Sequence, residues 1–387
     1  MHEGLVTYVA ALSFSDLGDA HFRQALRHSQ AVASPAGWVT SLSQIRFSGI
    51  DQILLTCAVF LLAFGIALVL SHKAHLLGLV DVPNERSSHS RPTPRGGGLA
   101  IFIAVTLSVW FCRDSIDAGI VWWNVLIGAS LVAIIGLWDD ARSVSPYLRL
   151  CVQVIGAVFL VLAFPVEPEF QIVAGVSITG ASAIALSCFG IVSVVNVFNF
   201  MDGIDGLAAS EAVFITGSGA LLVLLFSGHT HAPIALVCLL VCAASAGFLV
   251  LNWFPARIFL GDVGSGFLGF AIAAVALWTL VEHVMSFWVW LILGGLFVAD
   301  AAVTLSRRLA RGENVAVAHR MHGYQRLARM WSSHRRVTLL ATLINCFWLF
   351  PLAMVASVAP PYAPMVAAIA VLPIGIAAWI SGAGLPD

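Results

Sequence analysis

Apolar runs of close to 20 residues recur along this chain, with short polar segments between them. Eleven can be delimited, at about 52–71, 96–113, 119–138, 147–164, 181–200, 206–227, 231–251, 264–281, 283–304, 336–357 and 362–382. A helix needs about 20 apolar residues to cross a hydrocarbon core of about 30 Å. A spanning segment must also satisfy its own backbone, which a helix does internally. The pattern therefore predicts an all-α, polytopic membrane protein with about 11 transmembrane helices. Residues 1–50 break the pattern, because no run there reaches spanning length. They also lack the basic start and compact apolar stretch of a cleavable signal peptide. They are set apart as an N-terminal extension without an assigned role. Residues 51–387 form the transmembrane domain, and the first span, from Asp51, is expected to act as an uncleaved anchor.

Composition agrees with this reading. The chain is 60% hydrophobic and 10% charged, against about 25% charged in soluble domains. All seven cysteines lie in or at the edges of apolar runs. They read as small buried hydrophobes, with no zinc or disulfide spacing. The net charge of −1 is uninformative, but the placement of charge is not. Lys73, Arg86, Arg91 and Arg95 follow the first run, Arg142 the third and Arg257 the seventh. Arg307, Arg308, Arg311, Arg320, Arg326, Arg329 and Arg335 follow the ninth, while the alternate loops hold only Arg113. Basic loops stay on the cytoplasmic side. The expected topology has the N-terminus periplasmic and the C-terminus cytoplasmic.

The polar clusters "DVPNERSSHSRPTPRGGG", "WDDARS", "NVFNFMDGIDGLA", "NWFPARIFLGDVGS" and "SRRLARGENVAVAHRMHGYQR" all fall on that basic side. Carboxylates at a membrane edge are costly and mark function. Asp139 and Asp140 are adjacent at a helix C-terminus, where acids oppose the dipole and repel each other unless a cation intervenes. Asn196 and Asn199 lie one turn apart on a helix face, followed by Asp202 and Asp205 among glycines. Oxygen-only ligands of this kind suit Mg²⁺, with Mn²⁺ as a second candidate. Asp262 sits in a glycine-rich bend at a helix start, where backbone N–H groups favour phosphate. His319 and His322, with Arg320 and Arg326, add cationic groups suited to a polyanion such as a nucleotide diphosphate.

Two classes compete. A multi-span transporter of an anionic substrate would place charges midway along broken helices, often in inverted repeats. Here the acids gather at helix ends on one side and no repeat is visible, which favours a membrane phosphotransferase. The Asp-Gly motif of CDP-alcohol phosphotransferases requires a following Ala-Arg. Here Asp202-Gly203 is followed by Ile204-Asp205, which excludes that family.

Taken together, "PTPRGGG", the Asp139-Asp140 pair, "NVFNFMDGIDGLA" and "FLGDVGS" resemble the polyprenyl-phosphate N-acetylhexosaminyl-1-phosphate transferases of glycosyltransferase family 4. The resemblance runs from about residue 51 to the end, in the family's order. It implies Mg²⁺-dependent transfer of a sugar-1-phosphate from a UDP-N-acetylhexosamine to a polyprenyl phosphate, releasing UMP. It implies a bacterial inner-membrane setting with the active site on the cytoplasmic face, no nucleic-acid partner, and a homodimer as a candidate assembly. By resemblance, Asn199 and Asp262 hold the metal and Phe259 stacks on uracil. Asn252, Asp202 and Asp205 line the nucleoside pocket, with Asn196 as a further substrate contact. Asp139 and Asp140 match the pair that acts on the lipid phosphate. Arg91 stands roughly where relatives carry a basic residue, with different local spacing. His319 and His322 match the family's histidine motif, but Met321 replaces its middle histidine. Gly323-Tyr324-Gln325 resembles the branch that initiates O-antigen and other surface polysaccharides, rather than the cell-wall branch.

Overall fold

The computed structural model describes residues 49–81, 92–113, 116, 119–173, 175–227, 232–314 and 320–386. The expected N-terminal extension thus lies almost wholly outside the described residues, as do Arg91 and His319. Among the described residues eight helical segments are long and apolar enough to span, the last two being His334–Val358 and Pro360–Ile380. The first six are α1 (Gly49–Lys73), α3 (Trp122–Ala141), α5 (Gly180–Met201), α6 (Leu207–Phe226), α7 (Ala232–Asn252) and α8 (Gly261–Val281). Helix α2 (Gly98–Cys112) precedes α3 and α4 (Pro146–Val161) follows it. After α8 come α9 (Phe287–Leu293), α10 (Gly295–Ala310), α11 (Gly323–Trp331), α12 (His334–Ile344), α13 (Phe350–Val358) and α14 (Ala363–Ile380). The protein is an all-α, multi-pass membrane protein. Among the described residues the strands form two small antiparallel pairs, β1 (Val80–Asp81) with β2 (Thr93–Pro94), and β3 (Phe170–Val173) with β4 (Val176–Ile178).

Each apolar run forms helix, with three departures from the predicted rods. The ninth run is not one span: α9 and α10 meet at 82°. The break falls at Gly294-Gly295, where paired glycines carry no Cβ to hold a helix straight. Helices α2 and α4 are shorter than their runs. Gly97 docks by its N–H on the Phe259 carbonyl instead of joining α2, and Leu162–Phe164 close the end of α4 as turns. The tenth run widens into a π turn over Asn345–Leu349, so that α12 and α13 form a single span, His334–Val358. Pro351 supplies no N–H, and its ring would strike the carbonyl of Phe347 in a regular helix, so the turn before it opens.

The centre of the bundle is α8. It has 83% of its apolar window buried, against 22% for α1. Glycines make its contacts close. A Cβ on Gly98 would stand 1.9 Å from the Gly264 Cα, one on Gly136 2.4 Å from the Asp262 carbonyl oxygen, and one on Gly269 2.6 Å from the Val195 Cα. Helices α2, α3 and α5 therefore touch α8 nearly backbone to backbone. In lipid, where the hydrophobic effect does not drive helix association, such small-residue packing does. Because spans alternate in direction, the ends of α1, α3, α5 and α7 and the starts of α2, α4, α6 and α8 share one end of the bundle. The β3–β4 hairpin is at the other end, where Trp288 donates to the Gln171 carbonyl at 3.2 Å.

Candidate active site

An open cavity of about 810 Å³ lies at the shared end. Five segments line it: Asp81 and Arg95; Asp140; Asp202 to Asp205; Asn252 to Asp262; and Arg320 to His334. Each lies in, or runs on from, one of the five polar segments that the hydropathy pattern assigned to one side.

The first turn of α8 has no side-chain cap of its own. Asp140, 3% exposed, supplies one from the end of α3: its Oδ1 accepts the Asp262 N–H at 2.9 Å and its Oδ2 the Val263 N–H at 3.1 Å. Gly261 (φ +76°) makes the approach possible, since a Cβ there would stand 2.5 Å from the Asp140 carboxylate. Asp139 faces elsewhere. Its Oδ1 accepts the Val144 N–H at 2.6 Å and its Oδ2 pairs with Arg149. The same guanidinium reaches Asp262 Oδ2 at 3.0 Å. Arg149 thus neutralises one carboxylate of the adjacent pair and anchors the carboxylate of α8. Asn199 donates to Asp262 Oδ1 at 2.8 Å and to Ser265 Oγ at 3.1 Å. The two expected metal ligands are therefore in direct contact.

The turn after α5 is tied down by side chains. Asp205 Oδ2 accepts the Ala256 N–H at 3.1 Å, and Oδ1 lies 3.3 Å from His334 Nδ1. Asn252 Oδ1 accepts the Gly206 N–H at 3.1 Å while its Nδ2 donates to the Ile258 carbonyl at 2.9 Å. Asp205 and Asn252 thereby shape the wall that carries Phe259, whose own backbone pairs with Pro94 and Gly97. Asp202 is half-buried on that wall. Desolvation first, then the charges of Asp262, Asp140 and Asp205, push its carboxyl well above the ordinary carboxylate range. So dense an acidic cluster calls for a cation.

Of the residues expected from sequence, Asp140, Asp202, Asp205, Asn252, Phe259, Asp262 and Arg320 line the cavity, and Asn199 backs it through Asp262. Asn196 instead donates to Gln153 of α4 at 2.7 Å. His322, 1% exposed, is outside the lining. Its Nδ1 lies 3.0 Å from Asp300. Asp300 is buried in α10 and also accepts the Gly323 N–H at 3.0 Å and the Tyr324 N–H at 2.9 Å. It caps α11 as Asp140 caps α8. Tyr324 then donates to the Phe200 carbonyl at 3.0 Å, docking α11 on the turn after α5. Sequence reasoning missed the site roles of Arg149, Asp300 and His334. Asp300 carried a usable signal, being a carboxylate inside an apolar run. Arg149 lies just inside the fourth apolar run, where its position shows only that a basic residue flanks the span and not which carboxylates it meets.

The donor set fits a hard divalent cation. Among the described residues no group of three or more His, Cys, Asp or Glu could hold a metal alone. Mg²⁺ commonly takes one or two protein oxygens and completes its shell from phosphates and water. Asn199 and Asp262 beside an open polar cavity match that habit.

These features define a multi-pass membrane protein with a cavity lined by carboxylates and arginines at one set of helix ends. A model of the family described as Glycosyl transferase family 4 matches residues 122–280. The probable undecaprenyl-phosphate N-acetylglucosaminyl 1-phosphate transferase of Bacillus subtilis (strain 168) is 31% identical over 274 residues, covering 70% of this chain and 75% of that protein. The decaprenyl-phosphate N-acetylglucosaminephosphotransferase of Mycobacterium tuberculosis (strain ATCC 25618 / H37Rv) is 30% identical over 311 residues, 70% of this chain and 74% of that one. Its counterpart in Mycobacterium leprae (strain TN) is 29% identical over 307 residues, with coverage of 70% and 75%. The chain belongs to glycosyl transferase family 4, which places it with the transferases and not with transporters.

Proposed function

We propose that this protein transfers an N-acetylhexosamine-1-phosphate from a UDP-sugar to a polyprenyl phosphate, giving a polyprenyl-diphospho-sugar and UMP. The reaction takes place at the cytoplasmic face of the bacterial inner membrane and initiates a cell-envelope polysaccharide. The observation that carries this reading is the convergence of Asp140, Asp202, Asp205 and Asp262 with Arg95, Arg320 and Arg329 around one cavity. The names of the relatives, which specify polyprenyl phosphate and N-acetylglucosamine, support it. The arginine asymmetry of the loops supports the cytoplasmic face.

Chemically, an oxygen of the lipid phosphate attacks the sugar-bearing phosphorus, and the bond from that phosphorus to the oxygen of UMP breaks. The acceptor is already largely dianionic at neutral pH, since a phosphate monoester has a second pKa of about 6. A general base is therefore dispensable, and the difficulty is electrostatic. The cavity arginines offset repulsion between the two anions. Asn199 and Asp262 would hold Mg²⁺ or Mn²⁺, which supplies charge neutralisation at the diphosphate. Asp140 holds the first turn of α8 in place, and Arg149 aims Asp262. Asp205 and Asn252 set the backbone from which Phe259 meets the uracil.

The test uses sealed inverted membrane vesicles containing the protein, supplied with a panel of UDP-N-acetylhexosamines, with lipid products read by mass spectrometry. A polyprenyl-diphospho-N-acetylhexosamine and stoichiometric UMP are expected. No product from any donor would overturn the reaction. Equal product from sealed right-side-out vesicles would put the site on the other face.

A narrower expectation concerns Phe259. Base–aromatic stacking is worth about 1–3 kcal/mol in nucleic-acid binders. Phe259→Ala should therefore raise the KM for the UDP-sugar by roughly ten- to hundredfold, with Phe259→Tyr or Trp retaining most activity. The KM for polyprenyl phosphate, which has no base, should barely move. Equal weakening of both substrates would make the ring a packing element only.

A further inference from the structure

The cavity wall carries one guanidinium whose situation differs from that of Arg149. Arg149 is held between two carboxylates, Asp139 and Asp262. Arg95 lines the cavity, yet it forms no ion pair with any described carboxylate, and its Nε is buried without a hydrogen-bond partner. It is near enough to Asp140 for the two charges to act on each other, but both Asp140 oxygens are already taken by the Asp262 and Val263 N–H groups. Withdrawing an unmatched guanidinium donor from water is costly, and such a group is retained where an anion arrives to complete it.

The backbone around Arg95 is fixed to the chemistry. The Arg95 N–H donates to the Leu79 carbonyl at 3.0 Å, and the Phe259 N–H to the Pro94 carbonyl at 2.8 Å. The Gly97 N–H donates to the Phe259 carbonyl at 2.9 Å, and the Gly98 N–H to the Leu260 carbonyl at 2.8 Å. Three of these bonds clamp the "PRGGG" stretch to the segment that runs into Asp262, and the fourth ties it to Leu79. The clamp needs the glycines: a Cβ on Gly97 would stand 2.4 Å from the Phe248 ring. Arg95 is accordingly preset relative to Phe259 and Asp262, the two residues assigned to the donor. A guanidinium presents its donors as a planar fork that matches two phosphoryl oxygens, and it stays charged at any working pH.

We propose that Arg95 is a phosphate-receiving cation of this cavity, its guanidinium taking phosphoryl oxygens of one of the two reacting substrates. The inference rests on the transfer reaction proposed above. That reaction brings two phosphate-bearing substrates to this wall: the acceptor's monoester and the donor's diphosphate.

The experiment uses the full chain in lipid nanodiscs, with Arg95→Gln and Arg95→Lys beside the wild type, and measures KM for each substrate separately. Charge-assisted hydrogen bonds of this kind correspond to roughly ten- to hundredfold in affinity. Arg95→Gln should raise one KM by that factor and leave the other within about threefold. Lysine should recover part of the loss, because it keeps the charge without the fork. A raised acceptor KM assigns Arg95 to the lipid phosphate, and a raised donor KM to the diphosphate. Unchanged KM values in Arg95→Gln, or a fall in kcat that only follows a lowered Tm, would overturn the proposal. Should the wild type make no product, the transfer reading fails first. Thermal stabilisation by inorganic pyrophosphate then decides for Arg95: the wild type should be stabilised and Arg95→Gln not, and equal stabilisation of both would overturn it.

Discussion

Asp262→Asn should lower kcat by roughly 10²–10³, the scale of removing one preorganised electrostatic group from an active site, while the protein stays folded. The carboxylate of Asp262 is where three elements meet: Arg149 of α4 holds Oδ2 at 3.0 Å, Asn199 of α5 holds Oδ1 at 2.8 Å, and its own N–H is held by Asp140 of α3. An amide fills the same space and keeps one accepting oxygen, so the packing of α8 survives. The negative charge is what is lost, and with it both the partner of Arg149 and an anionic ligand for a divalent cation. The companion measurement is metal removal. Excess EDTA should abolish wild-type activity, and Mg²⁺ or Mn²⁺ should restore it, whereas added metal should not rescue the variant. Full activity in EDTA would remove the metal from the proposal. An Asp262→Asn enzyme within threefold of wild type would remove Asp262 itself.

How far this site was legible from sequence depends on what each residue's partners are. The spans could be read because hydropathy over 20 residues depends only on local composition, and the alternation of spans then put five polar segments at one end. That reasoning located Asp262 and Asp202 with no contact information, while Phe259 was singled out only by the family resemblance. It could not break the ninth run at Gly294-Gly295, since two glycines in an apolar stretch have the same hydropathy whether the helix bends or not. Nor could it tell a residue that faces substrate from one that faces backbone. Asn196 and Asn199 share a face by spacing, yet Asn196 meets Gln153 while Asn199 meets Asp262. Asn252 and Asp205 reach the cavity, but with their polar atoms committed to the N–H and carbonyl groups of neighbouring loops and to His334. His322 belongs to a recognisable motif and proves to be a buried partner of Asp300. In each case at least one deciding partner is 20 or more residues away, where periodicity has nothing to say.

The Asp139-Asp140 pair brings this ambiguity to an experiment. The family resemblance gives the pair a role on the lipid phosphate, whereas the geometry commits both Asp140 oxygens to the Asp262 and Val263 N–H groups in the first turn of α8. The two roles respond differently to an amide. An asparagine keeps one of the two accepting oxygens, enough for a single cap bond, whereas alanine keeps neither. If Asp140 acts by capping, Asp140→Asn should keep activity within about tenfold. Asp140→Ala should lose roughly 10²-fold or more, because the start of α8, and Asp262 with it, is released from α3. A buried cap of this kind is worth about 1–2 kcal/mol, so Asp140→Ala should also lower Tm by a few degrees while Asp140→Asn lowers it less. If Asp140 instead needs its charge for a proton or a phosphate, Asn should be as damaging as Ala to kcat, with Tm near wild type. A conservative exchange at Asp139 separates the neighbours. Asp139→Asn keeps an acceptor for the Val144 N–H but unpairs Arg149, and should therefore act through Asp262. Adding Asp139→Asn to Asp262→Asn should cost little further, because both changes disable the one guanidinium that bridges them. Additive losses in the double variant would give Asp139 a function of its own.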